Sequence, residues 1–201
     1  MNIKKGIRNL VIGSDKFIES YAEYKQVMLS GQFALIAIFL CSVYLAIDVF
    51  TGTFITMPVY ATAIFFLVLS VIIHRQGDHC LANYFLLPTI NIIVYLLASS
   101  ESPNTGIFIY FLVNSIAAFA VFNYKQRRLS ILFSVFTYIL FLAAYFIDFS
   151  LLPKRDYSDE MLLASAVINF SFALPAGLMA IYLLISLNHY NASQLVKNNS
   201  L

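Results

Sequence analysis

Asn91, Asn114 and Asn169 are polar side chains in the midst of apolar runs. Each amide carries two donors and two acceptor sites, so in hydrocarbon it must face protein or a cavity. Tyr44, Tyr60, Tyr95 and Tyr110, with Thr62, Tyr145 and Ser165, fall in the same half of their runs, and Asp48 and Asp148 stand at its rim. Two chemistries fit these residues. One is hydrogen bonding between helices, worth about 0.6–2 kcal/mol per bond. The other is a ligand site, open to the outside, built from Tyr44, Tyr60, Asn91, Tyr95, Tyr110, Asn114 and Asn169. Such a site is apolar and aromatic with a few amides, which suits a small neutral or lipid-like molecule better than a charged one. Tyr is also an ordinary residue of the membrane–water interface.

Catalytic patterns are missing. The chain has no GxSxG elbow, no HExxH, no glycine-rich phosphate loop and no acidic metal cluster. It is therefore expected to be no enzyme, to need no cofactor and to hold no metal. The stretch "HRQGDHC", His74 to Cys80, has ligand-type residues, but its spacing fits no structural zinc pattern and predicts an interfacial turn. His189 stands alone and reads the same way. Cys41 and Cys80 fall in or beside apolar runs and read as small hydrophobes. No Lys, Arg, Glu or His lies near the middle of an apolar run, which argues against an ion-coupled pump and leaves facilitated transport open. No nucleic-acid partner is expected.

The elements that must position these residues are membrane helices. The 201 residues are 61% hydrophobic and only 11% charged, with mean hydropathy +0.82. A soluble domain is about half apolar and a quarter charged. The expected fold is all-α: a polytopic membrane protein of six transmembrane helices, near 28–50, 54–74, 80–99, 106–123, 129–149 and 161–187. Gly52, Gly77, Pro103, Gly106 and Pro153 punctuate the connections. Lys4, Lys5, Arg8, Lys16, Lys25, Arg75, Lys125, Arg127, Arg128 and Lys197 fall on one side, Lys154 and Arg155 on the other. That bias predicts both termini in the cytoplasm, and acidic outer loops follow from Glu101, Asp156, Asp159 and Glu160. The sequons Asn191-Ala192-Ser193 and Asn198-Asn199-Ser200 then lie on the cytoplasmic side, away from glycosylation.

Three regions are expected: a cytoplasmic leader over 1–26, a six-helix membrane domain over 27–187, and the start of a cytoplasmic helix over 188–201. The leader does not read as a secretory signal, because its apolar run begins too late. Phe17, Tyr21, Tyr24 and Met28 follow helical spacing, with Ser14 placed to cap, and predict an N-terminal amphipathic interfacial helix. A solvated basic leader that only sets topology is the plainer alternative. "PTINIIVYLLAS" after Leu87 and "PAGLMAIYLLIS" after Leu174 share a pattern, the one hint of an internal repeat and of a transporter with inverted halves. Pro175 beside Gly177 predicts a bend in the last span, fitting either a static kink or a hinge.

After Gly177 the chain carries no Gly or Pro, so nothing stops the last helix. Leu187, Asn191, Gln194, Asn198 and Leu201 alternate by four and three, the spacing of a coiled-coil seam. Pro175, Gly177, Leu187, Asn191 and Gln194 are thus candidate relay residues. The missing stop predicts a helix that continues beyond Leu201 into a parallel homodimer and a further module. The opening "MNIKKGIRNLVIGSDKF", six spans with small loops, the inner "NYKQRR" and the exit "ISLNHYNASQLVKNNSL" together resemble the N-terminal membrane domain of bacterial sensor histidine kinases of the six-span type. A similar layout precedes some bacterial adenylate cyclases. The resemblance is one of layout and covers the whole chain. The family's phospho-accepting His box and ATP-binding lobe are absent from these residues. The resemblance implies a sensor in the bacterial inner membrane that relays an extracellular or membrane-borne stimulus through its last span. The alternative function is a small-molecule facilitator or transporter.

Overall fold

The computed structural model describes residues 3–13, 21–122, 126–147 and 149–199, with the side chains of 3–5, 7, 21, 22, 25, 183 and 186–199 outside the description. All regular structure among the described residues is helical. The order is α1 (Ile3–Val11), α2 (Tyr21–Thr51), α3 (Met57–Gln76), α4 (His79–Ser100), a 3-10 turn (Pro103–Thr105), α5 (Ile109–Val121), α6 (Arg127–Phe146) and α7 (Asp159–Asn199).

Among the described residues, five stretches are long and apolar enough to cross a membrane: Gln26–Thr51, Met57–Gln76, His79–Ser100, Arg127–Phe146 and Asp159–Tyr182. Large apolar side chains point outward from them, among them Phe39, Phe65, Ile92, Leu132 and Leu178. Helices apolar all round belong in lipid or in a large core. The stretch expected as a fourth span, 106–123, holds the shorter α5, 13 residues. That is about 20 Å, short of the roughly 30 Å hydrocarbon core. The reason lies just before it: Pro103 opens a 3-10 turn closed by Gly106 at φ 74°, and regular helix starts only at Ile109. A Cβ at Gly106 would meet the Ala166 backbone of α7 at 3.5 Å, an ordinary contact, so the left-handed φ and not crowding favours glycine there.

Short connections make neighbours antiparallel. α3 ends on Gly77, whose φ of 101° places it in the left-handed region and whose N–H bonds the His74 carbonyl. Asp78 then caps α4 by accepting from the Leu81 N–H at 3.0 Å. α2 packs on α3 and α3 on α4, while α5 packs on α6 and α7, and α4 on α6. Small residues line the α5–α7 contact: Ala173, Ala176 and Ala180 are buried, and Gly177 lies against Val113.

The N-terminal region differs from expectation. Residues 14–20, with Phe17, lie outside the described residues. Tyr21, Tyr24 and Met28 belong to the first turns of α2, continuous with the first long span. Helical hydrogen bonds already nucleated in the span extend at little cost, so no break is needed at residue 27. A separate short helix, α1, packs on α2 and α3 instead. Its Val11 and the following Ile12 are buried with Val27. Gly31 permits the contact, because a Cβ there would collide with the Val11 side chain.

Candidate functional site

The bundle has two ends. One gathers the end of α2, the start of α3, the end of α4 and the start of α7, marked by Asp48, Thr56, Glu101 and Arg155. The other gathers the start of α2, the α3–α4 turn and the end of α5, marked by Ser30, His74, Asn83 and Val121.

A cavity of about 430 Å³ runs inward from the Asp48 end between α2, α4, α5 and α7. Its walls include Phe33, Ala37, Leu40 and Cys41 of α2, Ile90, Ile93 and Leu97 of α4, Asn114 and Ala117 of α5, and Ser165, Ile168, Asn169 and Ala176 of α7. Of the residues singled out in the sequence, Tyr44, Tyr60, Tyr110, Asn114 and Asn169 line it, while Asn91 and Tyr95 do not. The Tyr44 hydroxyl donates to Asn169 Oδ1 at 2.5 Å and lies 3.2 Å from the Tyr110 hydroxyl. The Tyr44 and Tyr60 rings stack with centroids 6.0 Å apart. Asn169 Nδ2 donates to the Thr105 carbonyl at 2.8 Å, tying α7 to the 3-10 turn.

Asn91 serves a different node. It is fully buried, and its Oδ1 accepts from Thr137 at 2.8 Å and from Asn114 Nδ2 at 3.4 Å. Its own Nδ2 donates to the Leu87 carbonyl at 2.9 Å, one turn back. This joins α4, α5 and α6. Asn114 is shared, bonding Asn91 while bordering the cavity. Tyr95 is half-buried against the main core. Gly177 is buried and Pro175 exposed on α7, where the missing Pro175 N–H leaves the Ser171 carbonyl without its helical donor. Leu187, Asn191 and Gln194 lie on the α7 backbone, and their side chains lie outside the described set.

A charged latch lines the cavity mouth, and sequence reading missed it. Arg155 Nη2 lies 3.3 Å from Asp48, and its Nη1 lies 3.6 Å from Glu101. The Arg155 N–H bonds the Ser100 carbonyl at 3.1 Å. Thr56, at the start of α3, donates its hydroxyl to Asp48 and accepts from Arg155. The Asp48 and Glu101 side chains are 6% and 7% exposed, so this is a buried network rather than a surface pair. Burial pushes the Glu101 carboxyl above its usual range, and the Arg155 charge only partly offsets this. Burial and then the Glu101 charge push the Tyr157 phenol up to about 12. Burial alone would lower Arg155, but Tyr157, Asp48 and Glu101 outweigh it and hold its charge. Arg155 Nε is buried with no hydrogen-bond partner among the described residues. A buried donor left unpaired costs about 1–3 kcal/mol. The signal in the sequence was two basic residues, Lys154 and Arg155, within otherwise acidic loops.

The opposite end is sealed by a second missed cluster. His74, next to the expected turn, is fully buried, and its Nε2 lies 2.9 Å from the Ser30 hydroxyl. Ser30 also donates to Asn83, and His74 stacks on His79 with their Nδ1 atoms 3.3 Å apart. The Gly77–Asp78 turn folds α4 back along α3, so that on the last turn of α3 His74 is buried while Arg75 and Gln76 stay exposed. Nearby, Gln26 donates to the Val121 carbonyl at 2.7 Å. Among the described residues no three His, Cys, Asp or Glu side chains converge as a metal site. Asp148 lies outside the described residues.

No protein-family model matches the chain, and no curated protein matches it.

Proposed function

We propose that the chain is the sensing and signal-transducing domain of a larger membrane protein. In this reading it has six spans, α5 and its lead-in turn completing the fourth, with both termini in the cytoplasm of a bacterial inner membrane. The observation that carries the reading is that α7 does two things at once. Ser165, Ile168, Asn169 and Ala176 form one wall of the cavity, and the same helix continues without a break to Asn199. A ligand that binds two helix arrangements unequally shifts their populations, and a rigid helix delivers the difference some 35 Å away, taking about 1.5 Å per residue. The output module is a histidine kinase or a cyclase, joined through a parallel homodimer along Leu187, Asn191 and Gln194.

The test uses single-cysteine variants along 187–198 in native membranes, with Cys41 and Cys80 replaced. A paired helix gives disulfide crosslinking that peaks every three or four residues. Asn169→Ala and Tyr44→Phe should move that pattern while leaving expression unchanged. Uniform crosslinking, or a pattern indifferent to both changes, sinks the proposal.

A second reading, a facilitator or transporter, is favoured by one feature. The cavity opens at the Asp48 end, and its lining stops at Phe33, Ile90, Ala117 and Ala176, as one half of an alternating-access cycle would. Solute uptake into proteoliposomes, abolished by filling the cavity, would favour it.

A further inference from the structure

We infer that the cavity binds an uncharged, hydroxylated apolar molecule, which offers a hydrogen-bond donor to Asn114 Oδ1 and an acceptor to the Tyr60 hydroxyl. This names the ligand class of the sensing reading and rests on that reading for its biological consequence.

The absence of charge comes first. The charged residues of the lining, Asp48, Glu101, Lys154, Arg155 and Asp156, all belong to the Asp48 end of the bundle. Inward of them the walls are mostly apolar, with Phe33, Leu40, Ile93 and Ala176. An ion held there would find no counter-ion in the lining, and burying it unpaired is costly. The inner cavity therefore suits a neutral molecule with an apolar body.

The polar chemistry follows from the hydrogen bonds that the walls leave unmade. Among the described residues, the polar side chains that border the cavity while more than nine-tenths buried are Asp48, Tyr60, Asn114 and Asn169. Asp48 is held by Thr56 and Arg155, and Asn169 is engaged at both ends of its amide, by Tyr44 and Thr105. Tyr60 and Asn114 each keep a group in reserve. The Tyr60 ring stacks on Tyr44, but its hydroxyl has no hydrogen-bond partner among the described residues. Asn114 bonds Asn91 through Nδ2, which leaves its Oδ1 without a donor among them. Unlike Arg155 Nε, which is sealed off, these two atoms keep accessible surface, and both residues border the cavity. They stand inward of the charges: Tyr60 is one turn beyond Thr56 on α3, and Asn114 one turn beyond Tyr110 on α5. Water can serve both groups. A ligand replaces such water without loss only if it repeats both bonds. A hydroxyl both donates and accepts, an ether or ketone lacks the donor, and a hydrocarbon lacks both.

The test places the full chain in lipid nanodiscs with 1,2-decanediol carrying a photoreactive diazirine at its chain end. Its adjacent hydroxyls can address two partners at once. The unlabelled diol, its dimethyl ether, decane, decyl sulfate and decyltrimethylammonium compete, and labelled peptides are mapped by mass spectrometry. The expected result is labelling within 33–47 and 161–176, displaced by the diol at about one-tenth the membrane concentration of the other four or less. Partitioning into lipid is the same for wild type and variant, so the ratio between them reads the site alone. Tyr60→Phe removes a hydroxyl that has no protein partner, so thermal unfolding should not change, while the diol and its ether should both weaken about fivefold. Asn114→Leu should erase the diol's advantage over the ether and leave the ether's advantage over decane. Should that variant not fold, Tyr60→Phe decides alone. Diol competition unchanged by Tyr60→Phe means that the two groups hold water only, and it overturns the inference. Equal displacement by all five compounds, as annular lipid gives, overturns it too. So does preferential displacement by the sulfate or the ammonium, or labelling spread to outward-facing positions such as Phe65 and Leu132. Crosslinking along 187–198, recorded with and without the diol, separates the two proposals. Binding at the cavity with an unchanged pattern keeps the ligand class and defeats the sensing reading. Equal competition with a pattern that still responds to Asn169→Ala defeats the ligand class alone.

Discussion

Arg155 holds three helices from one loop position. It touches Asp48 at the end of α2, Glu101 beyond the end of α4, and Thr56 before α3. Arg155→Ala leaves two buried carboxylates facing each other without a cation. Removing one partner of a buried pair costs about 3–5 kcal/mol; Arg155 keeps some exposure, so about 2–4 kcal/mol is expected, read as thermal unfolding in nanodiscs. Glu101 supplies a pH test. Its folded carboxyl sits above the ordinary 4.5 because burial outweighs Arg155. The folded protein therefore binds that proton more tightly than the unfolded chain does. The resulting stability is fully present below the ordinary value and fades as pH rises through the folded one. Wild type should gain stability relative to Glu101→Gln on acidification from about pH 7 to about pH 5. A difference that shrinks instead would mean that Arg155 dominates. Deeper in the bundle, Thr137→Val leaves Asn91 with Asn114 and should cost about 0.6–2 kcal/mol. Asn91→Ala should cost more, since Asn114 and Thr137 both lose their common acceptor.

Two glycines inside helices make opposite predictions at the scale of the element. At Gly31 a Cβ would strike Val11, so Gly31→Ala pushes α1 from its seat on α2 and α3. At Gly177 the nearest side-chain atom to a new Cβ would be Val113 Cγ2 at 3.5 Å, ordinary contact. Gly177→Ala should then be neutral or stabilise by up to about 1 kcal/mol, because Ala favours helix over Gly. Gly177→Leu should separate α7 from α5 and destabilise. Hydrogen exchange distinguishes these outcomes. Gly31→Ala should lose protection over Ile3–Val11 while α3 and α4 keep theirs, and loss across the whole bundle would refute a locally docked α1.

The positions of the charges make a prediction for the whole molecule. Lys and Arg gather where α1, the α3–α4 turn and the start of α6 lie, and Arg155 with three acids lies at the other end. The charge bias predicts that the first end faces the cytoplasm. Cysteines introduced near Lys154 should react with a membrane-impermeant maleimide on intact cells, and Arg127→Cys should not. External labelling of Arg127→Cys would reverse the orientation and, with it, the side from which the cavity opens.

Class and element order were legible in sequence because both depend on local properties. Apolar length gives the long helices, Gly77 and Asp78 give the tight α3–α4 turn, and Pro103 and Gly106 mark the place where α5 is delayed. The missing stop after Gly177 corresponds to a backbone that stays helical to Asn199. Partner choice was not legible. Nothing in the order of residues says that Asn169 meets Tyr44 across 125 positions, or that Asn91 turns to Thr137 rather than to the cavity. Arg155 read as a loop cation, yet it is folded inward against Asp48, 107 positions away. His74 read as part of a turn, with nothing to say that it is buried and bonded through Ser30 to Asn83. In lipid, helices apolar on every face carry no amphipathic stripe to say which side turns inward. Local composition therefore determined the long apolar helices, and only their packing decided which polar groups pair, which border a cavity, and which donor is left waiting.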